Sequence, residues 1–242
     1  MILLAKGAYI ARIASGEGDI RAAQSLRACA FGLTSPLDGD SFDAACKHIL
    51  IEHAVSRDLV CCFRMMPLTG ATISDSYSAQ YYELSALESY QGKMVELGRF
   101  CLHPHWTDPD ILRIAWGAMT QFVDQHQIDL LFGCSSFAGT ETATYLDAFA
   151  VLKARHLAPK RWLPRVKAPD VFRFAARLRR KPDMRRAMRA MPPLLRTYLM
   201  MGGWVSDHAV LDRQMNTMHV FTGVEIGAIP AARKRLLRAV AV

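Results

Sequence analysis

Residues 95–104 read VELGRFCLHP and set a carboxylate, Glu96, three positions before a guanidinium, Arg99, in an otherwise apolar run, with Gly98 between them. Charges are kept out of a buried strand unless they are paired or used. A carboxylate there can take up a proton or hold an ammonium group. The planar fork of an arginine suits a carboxylate. The plain alternative is a structural ion pair between the two. In a regular strand side chains alternate, so Glu96 and Arg99 would point to opposite faces. A bulge at Gly98 would shift that phase and bend the strand. The pattern therefore predicts a bulged strand over 94–102.

Elements on either side must hold that strand in place. DIRAAQSLRACA, 19–30, predicts a helix, with Ile20, Ala23, Leu26 and Ala30 at helical spacing. The stretch 31–43 is loop-like, rich in Gly, Pro, Ser and Asp. KHILIEHAV and DLVCCFRMMPL predict two strands, and 69–93 an irregular loop with a short helix. Pro109 opens a helix, PDILRIAWGAMTQFVDQHQ, capped by Thr107 or Asp108, with a stripe of Ile111, Ile114, Ala115, Ala118 and Phe122. DLLFGCSSF, 129–137, has strand length, a helix follows over about 141–156, and the tail from Val205 to Ile226 returns to strand-like sequence. Strand–helix–strand–helix alternation implies an α/β fold with a parallel crossover.

The chain has 242 residues, 51% hydrophobic and 21% charged, the composition of a globular protein with a sizeable core. A single domain over 1–242 is expected. No apolar window reaches about 18 residues, so no transmembrane helix is expected. MILLAKGAYIAR lacks the apolar core and cleavage region of a secretory signal, which makes the cytoplasm the expected location. None of the six cysteines forms a C-x-x-C pair, and they read as reduced, buried thiols. HPH at 103–105 has no acidic or cysteine partner at ligand spacing, so no metal is expected.

Net charge is +8, and 165–196 alone carries eleven Lys and Arg against two Asp. The rest of the chain is therefore close to neutral, and the basicity is a patch. Its segments are punctuated by Pro169, Pro182, Pro192 and Pro193 and read as amphipathic helices. Arg173, Arg177, Arg180, Arg185, Arg186 and Arg189 are its charged face, with Phe172, Met184 and Met188 as apolar partners. Such a patch is either a solvated face or a surface for an anionic partner.

VELGRFCLHP, then LLFGCSSFAGTE at 130–141, then LLRTYLMMGGWVSDHAVLDRQMNTMHVFTGVEI together resemble the ornithine–acyl-[acyl carrier protein] N-acyltransferases, which make the lyso-ornithine precursor of bacterial ornithine lipids. LRACAF, DSFD, KHILI and FRMMP fit a pattern shared with the acyl-homoserine-lactone autoinducer synthases. The resemblance runs from about residue 20 to residue 226. It implies a Gcn5-related N-acyltransferase-like fold: a mixed sheet flanked by helices and splayed to admit an acyl thioester, here with a basic helical C-terminal extension. It also implies transfer of a fatty or 3-hydroxy-fatty acyl group from acyl carrier protein to the α-amino group of ornithine. No cofactor is tightly bound on this reading; the 4′-phosphopantetheine arrives on the carrier protein.

Amide formation from a thioester needs a neutral amine, a stabilised oxyanion and a departing thiolate. The resemblance makes Glu96 the residue that accepts or relays the amine proton, or anchors the ammonium group. Arg99 would pair with it or bind the substrate carboxylate, and the Gly98 bulge would free backbone N–H groups toward the thioester carbonyl. Arg27, Asp40, Asp43 and Arg64 match charged positions that autoinducer synthases place at the same cleft, in structural or substrate-ordering roles. Ser136 and Phe137 would border the acyl or pantetheine channel, and Tyr145 is a candidate acid for the leaving thiolate.

Coenzyme-A-dependent relatives cradle pyrophosphate with a glycine-rich loop opening a helix. Here CLHPHWTDPDILR, 101–113, has no glycine, two prolines and two acids, which argues for a carrier-protein donor. Acyl carrier protein is acidic, so the basic patch suits it. An anionic membrane surface also suits it, giving a peripheral location on the inner face of the cytoplasmic membrane. Three alternatives stand beside this reading: the same reaction on another amino acid such as glutamine, an S-adenosylmethionine-dependent autoinducer synthase, and a non-enzymatic module binding an anionic surface. Nucleic acid is disfavoured, because the patch lacks regular aromatic interleaving and no DNA-reading motif is visible.

Overall fold

The structure is a computed structural model and describes residues 1–241. In chain order its elements begin with β1 (Ile2–Lys6), β2 (Tyr9–Ile13), α1 (Glu17–Phe31), β3 (Lys47–His53), β4 (Leu59–Leu68) and β5 (Tyr82–Glu83). Next come β6 (Met94–Leu102), α2 (Pro109–His126), β7 (Leu130–Ala138) and α3 (Leu146–Arg155). The basic region holds β8 (Arg165–Val166), β9 (Val171–Phe172), α4 (Phe174–Arg177), α5 (Met184–Ala190) and α6 (Pro193–Met200). The chain finishes with β10 (Trp204–Val205), β11 (Ala209–Asp212), β12 (Thr217–Glu225) and α7 (Ala231–Val240).

Contacts group these elements into two compact units, each assembled from separate stretches of chain. The first comprises Met1–Pro67, Leu97–Ile128 and the chain from Ala231 onward; the second comprises Leu68–Glu96 and Asp129–Pro230.

In the first unit β1, β2, β3 and β4 run antiparallel in that order, and the downstream half of β6 follows β4. β1 and β2 form a hairpin around Gly7–Ala8, with Gly7 left-handed at φ 59. The hairpin was missed in the sequence because Lys6 interrupts its apolar run. α1 ends at Gly32, also left-handed at φ 65, and buries Ala23 and Leu26 against Leu50, Cys62 and Cys101. α2 starts where its signals place it: Asp108 accepts the N–H of Asp110, and Pro109 occupies the first turn. α7 lies on α2 at Gly117, where an added Cβ would collide with Leu4 and meet the carbonyl of Val240 at 3.2 Å. Cys61, Cys62 and Cys101 are buried thiols, whereas Cys29 is exposed and Cys46 and Cys134 are half-buried.

In the second unit β6 and β7 pair parallel over Met94–Glu96 against Leu130–Phe132, the crossover pairing expected from the alternation. β7 then pairs antiparallel with β12 along nine residues, from Leu130↔Glu225 to Ala138↔Thr217. β11 and β9 extend the sheet beyond β12. One face of the β7–β12 pair carries Phe137, Met218 and Val220 into a core with Phe149, Leu152, Phe174, Ala187, Met191 and Leu195. The other carries Phe132, Cys134 and Ser136 with their register partners Gly223, Phe221 and His219.

Two readings need correction. The basic region is not helical throughout: two two-residue strands, β8 and β9, precede three helices of four to eight residues, because proline excludes a longer helix. The helix expected over 141–156 opens as a 3₁₀ turn at Thr142–Tyr145, and α3 begins only at Leu146. Among the described residues no helix is long and apolar enough to cross a membrane.

Candidate active site

Glu96 ends the parallel ladder opposite Phe132, so its side chain shares a sheet face with Phe132 and Cys134. It is buried, and three donors converge on it. Oε1 accepts from the Ser78 N–H at 2.7 Å and the Ser78 hydroxyl at 2.5 Å; Oε2 accepts from the Tyr77 N–H at 2.7 Å. Ser78 commits its one hydroxyl proton to Glu96, so in the 3.4 Å contact with Cys134 the thiol is the donor. The carboxylate therefore fixes the segment Tyr77–Gln80 and is itself fixed.

Next to Ser136 across the ladder stands His219, which the sequence reading did not single out. Tyr82, fully buried, donates its hydroxyl proton to the His219 carbonyl at 2.8 Å, and its oxygen lies 3.1 Å from His219 Nδ1. The Tyr81 ring stands edge-on to the imidazole at 4.9 Å, and the Tyr81 and Tyr77 hydroxyls are 3.3 Å apart. Burial pushes the His219 pKa down to about 4, against Asp212 and with His208, so the ring is neutral at pH 7. A histidine in an alternating apolar strand was the available signal.

In the first unit the loop 38–43 supplies three aspartates and three elements supply one arginine each. Arg27 from α1 reaches Asp38 at 3.0 Å and both oxygens of Asp43 at 2.9 Å. Arg64 from β4 bonds Asp43 at 2.7 Å and takes both oxygens of Asp40, at 2.6 and 2.7 Å. Arg99 from β6 closes the ring through Asp40 at 3.3 Å and Asp38 at 3.0 Å. Acids and bases thus alternate around a charge-balanced ring, with Gln24 donating to Asp43 at 2.8 Å. Burial alone would raise the Asp43 and Asp40 carboxyls, but the arginines outweigh it and hold both below the usual range. Burial holds His48, beside Asp43, below its ordinary pKa. Arg27 is only 1% exposed, whereas the side chains of Asp40 and Arg99 are 22% and 14% exposed. The ring brings together Arg27, Asp40, Asp43, Arg64 and Arg99. It adds Asp38, the first acid of DGDSFD, which had been overlooked.

The bulge is expected at Gly98, and the left-handed residue of β6 is its neighbour. Arg99, not Gly98, is the left-handed residue, at φ 52. That conformation costs a non-glycine residue about 1–2 kcal/mol, and the pairs to Asp38 and Asp40 hold it there. A Cβ on Gly98 would make ordinary contact with Arg64 at 3.6 Å.

Ser136 is exposed, but Phe137 is fully buried in the core and serves packing rather than a channel wall. Tyr145 is half-buried, and its hydroxyl donates to the Ala138 carbonyl at 2.7 Å. Arg173, Arg177, Arg180, Arg185, Arg186 and Arg189 are all exposed, as are Met184 at 37% and Met188 at 42%. Phe172, expected beside them at the surface, belongs to the core. Arg180 pairs with Asp147 at 2.8 Å and Arg186 with Asp183 at 3.6 Å.

Residues 25–117 match the family model described as an acetyltransferase (GNAT) domain. The fold matches that of FeeM, an N-acyl amino acid synthase from uncultured soil microbes, with a TM-score of 0.53 at 12% identity, covering 90% of this chain and 92% of that one. The protein is an acyltransferase with a GNAT-like mixed sheet flanked by helices. Over 88% of its length it is 32% identical to an L-ornithine N(alpha)-acyltransferase of Rhodobacter capsulatus, covering 88% of that protein. It is 26% identical to an Agrobacterium fabrum protein of the same name, over 92% of this chain and 83% of that protein. The chain belongs to the L-ornithine N(alpha)-acyltransferase family.

Proposed function

We propose that the protein moves a fatty acyl group from an acyl carrier protein thioester to the α-amino group of ornithine, forming a lyso-ornithine lipid. Similarity to L-ornithine N(alpha)-acyltransferases along nearly the whole chain carries the reading. Glu96, rigidly held, takes or relays the amine proton as the amine attacks the thioester. Asp40 and Arg99, the more open members of the ring, offer an acid and a base of the kind that order an amino acid's ammonium and carboxylate groups. Incubating the enzyme with ornithine and acyl carrier protein thioester, then identifying the N-acylated product by mass spectrometry, tests the reaction. An unreacted ornithine pool beside another acylated amino acid overturns the acceptor.

The carrier-protein donor has support at the start of α2. Asp108 accepts the Asp110 N–H at 2.9 Å and the Tyr9 hydroxyl at 2.8 Å. A carboxylate thus occupies the helix N-terminus that would otherwise attract a pyrophosphate. Acyl carrier protein thioesters are expected to react far faster than acyl-coenzyme A of the same chain length; equal kcat/KM for the two removes this argument.

The exposed arginines around Met184 and Met188 suit the anionic inner face of a membrane, where a lipid product is delivered. Each basic residue close to such a surface contributes about 1 kcal/mol. Reversing Arg185 and Arg189 to Glu, while leaving Arg180 and Arg186 with their acidic partners, is expected to lower partitioning onto anionic vesicles by about 10²-fold at low salt. Sedimentation with vesicles in the absence of carrier protein measures it. No binding by the unaltered protein assigns the patch to the carrier protein or to solvent.

A further inference from the structure

We propose that Asp38 is a positioning residue for the acceptor: it sets the attitude of the Arg99 guanidinium that receives the carboxylate of the incoming amino acid. The inference rests on the amino acid acceptor proposed above and deepens it by naming what aims its carboxylate-binding side chain.

Three side chains form a line from the core to the open side of the ring. Arg27 is 1% exposed, Asp38 8% and the Arg99 side chain 14%. Oδ2 of Asp38 lies 3.0 Å from Nε of Arg27 and 3.0 Å from Nε of Arg99. One carboxylate oxygen thus ties the most buried arginine of the ring to the most open one. Asp38 is itself held at its backbone: its N–H donates to the Gln24 carbonyl at 3.1 Å, and its carbonyl accepts from Nη2 of Arg27. Arg27 and Asp38 lie too deep to meet a ligand, so what they do for the acceptor passes through Arg99. The other hold on Arg99 is the 3.3 Å contact of Nη2 with Asp40. Asp40 is more exposed than Asp38, and both its oxygens bond Arg64. Asp38 is therefore the firmer anchor. With Nε and Nη2 both engaged, the plane of the guanidinium is fixed, as recognition of a carboxylate by its planar fork requires.

Charge and strain give this anchor a purpose beyond closing the ring. Arg27 with Asp43 and Arg64 with Asp40 already make a neutral set. Asp38 and Arg99 add one acid, one base and a left-handed residue at φ 52. Strained residues of this kind cluster at ligand sites. Without Asp38 the backbone at Arg99 relaxes toward an extended conformation and carries the guanidinium with it. An amino acid brings an ammonium with its carboxylate, so it meets Asp40 and Arg99 without changing the net charge. A diamine brings two cations and nothing for Arg99 to bind.

The test uses the full-length enzyme, a saturating carrier-protein thioester, and two acceptors: ornithine and 1,4-diaminobutane, which is ornithine without its carboxylate. The unaltered enzyme is expected to favour ornithine by about 10–100-fold in kcat/KM. Asp38→Asn keeps the shape and removes the charge. It is expected to raise KM for ornithine about tenfold, with kcat, the donor KM and the rate on 1,4-diaminobutane within about threefold. In an Arg99→Gln background the same substitution should add no further loss, because Asp38 then has nothing to aim. If Asp38→Asn does not fold, Asp38→Glu is read in the same way, since it keeps the charge for Arg27 and displaces Arg99. No preference for ornithine in the unaltered enzyme, an equal loss on both acceptors in a folded variant, or an additive loss in the Arg99→Gln background overturns the proposal. Absence of turnover with both acceptors would count against the proposed reaction. Nitrogen NMR then decides the role of Asp38: ornithine should shift the Arg99 Nε signal of the unaltered enzyme, and about tenfold more should be needed in the variant. No shift, or the same titration in both proteins, overturns the proposal.

Discussion

Replacing Glu96 with Gln is expected to lower turnover by about 10²–10⁴-fold, the usual contribution of a proton-transferring side chain. The substitution keeps the shape, removes the charge and turns one acceptor oxygen into a donor. Both oxygens now receive backbone N–H groups, from Tyr77 and Ser78, so the new amide must point an N–H at an N–H. The Tyr77–Gln80 segment therefore loosens with the loss of activity. Comparing Glu96→Gln with Ser78→Ala separates the two effects. Ser78→Ala removes one donor to the carboxylate and keeps its charge, so it should retain most of kcat. Full kcat in a folded Glu96→Gln enzyme would reduce Glu96 to a strut for that segment.

Replacing Arg27 with Leu is expected to cost about 3–5 kcal/mol of stability, the penalty for leaving a buried charge without its partner. For a chain of 242 residues that corresponds to about 10 °C in Tm. Asp43 and Asp38 would lose a buried guanidinium at 2.9 and 3.0 Å, and Arg64 and Arg99 could not replace it without leaving the other side of the ring. The pH dependence has a definite sign. Asp43 and Asp40 are depressed in the folded state, so the stability they contribute is complete above the unfolded carboxyl value of about 4. It drains away as pH falls through their folded values. Urea titrations at pH 7 and pH 3 should show a steep acid loss in the unaltered protein and a shallower one in Arg27→Leu. A parallel loss in both would remove the ring from the account of acid unfolding.

Local rules made the backbone around the site readable. β6 occupies 94–102 as anticipated, and α2 starts at the Asp108–Pro109 signal. Arg27, Asp40, Asp43 and Arg64 came forward through the resemblance to the autoinducer synthases, not through any local pattern, and the structure joins them. Asp38 and His219 did not, because their importance lies in which partners the fold brings to them: two arginines from distant elements for one, a tyrosine from 137 residues away for the other. The bulge is expected at Gly98 because glycine tolerates irregular backbone, but the left-handed residue of β6 is its neighbour. That neighbour is Arg99, whose ion pairs offset the strain. In the basic region the prolines that bound the expected helical segments leave pieces too short to lie on a membrane as one helix. What remains there is a scattered arginine surface with two exposed methionines.

The seating of α7 against α2 at Gly117 has a consequence for how the protein is made. Residues 129–230, which include most of the second unit, are translated between those two helices. At about 5–20 residues per second, the α2 surface around Gly117 emerges from the ribosome and waits roughly 5–20 seconds for its cover. The unit that starts first is therefore the one that finishes last. During that interval an apolar seam beside Leu4 is open to chaperones or to neighbouring nascent chains, and a polypeptide stopped at residue 230 would keep it open permanently.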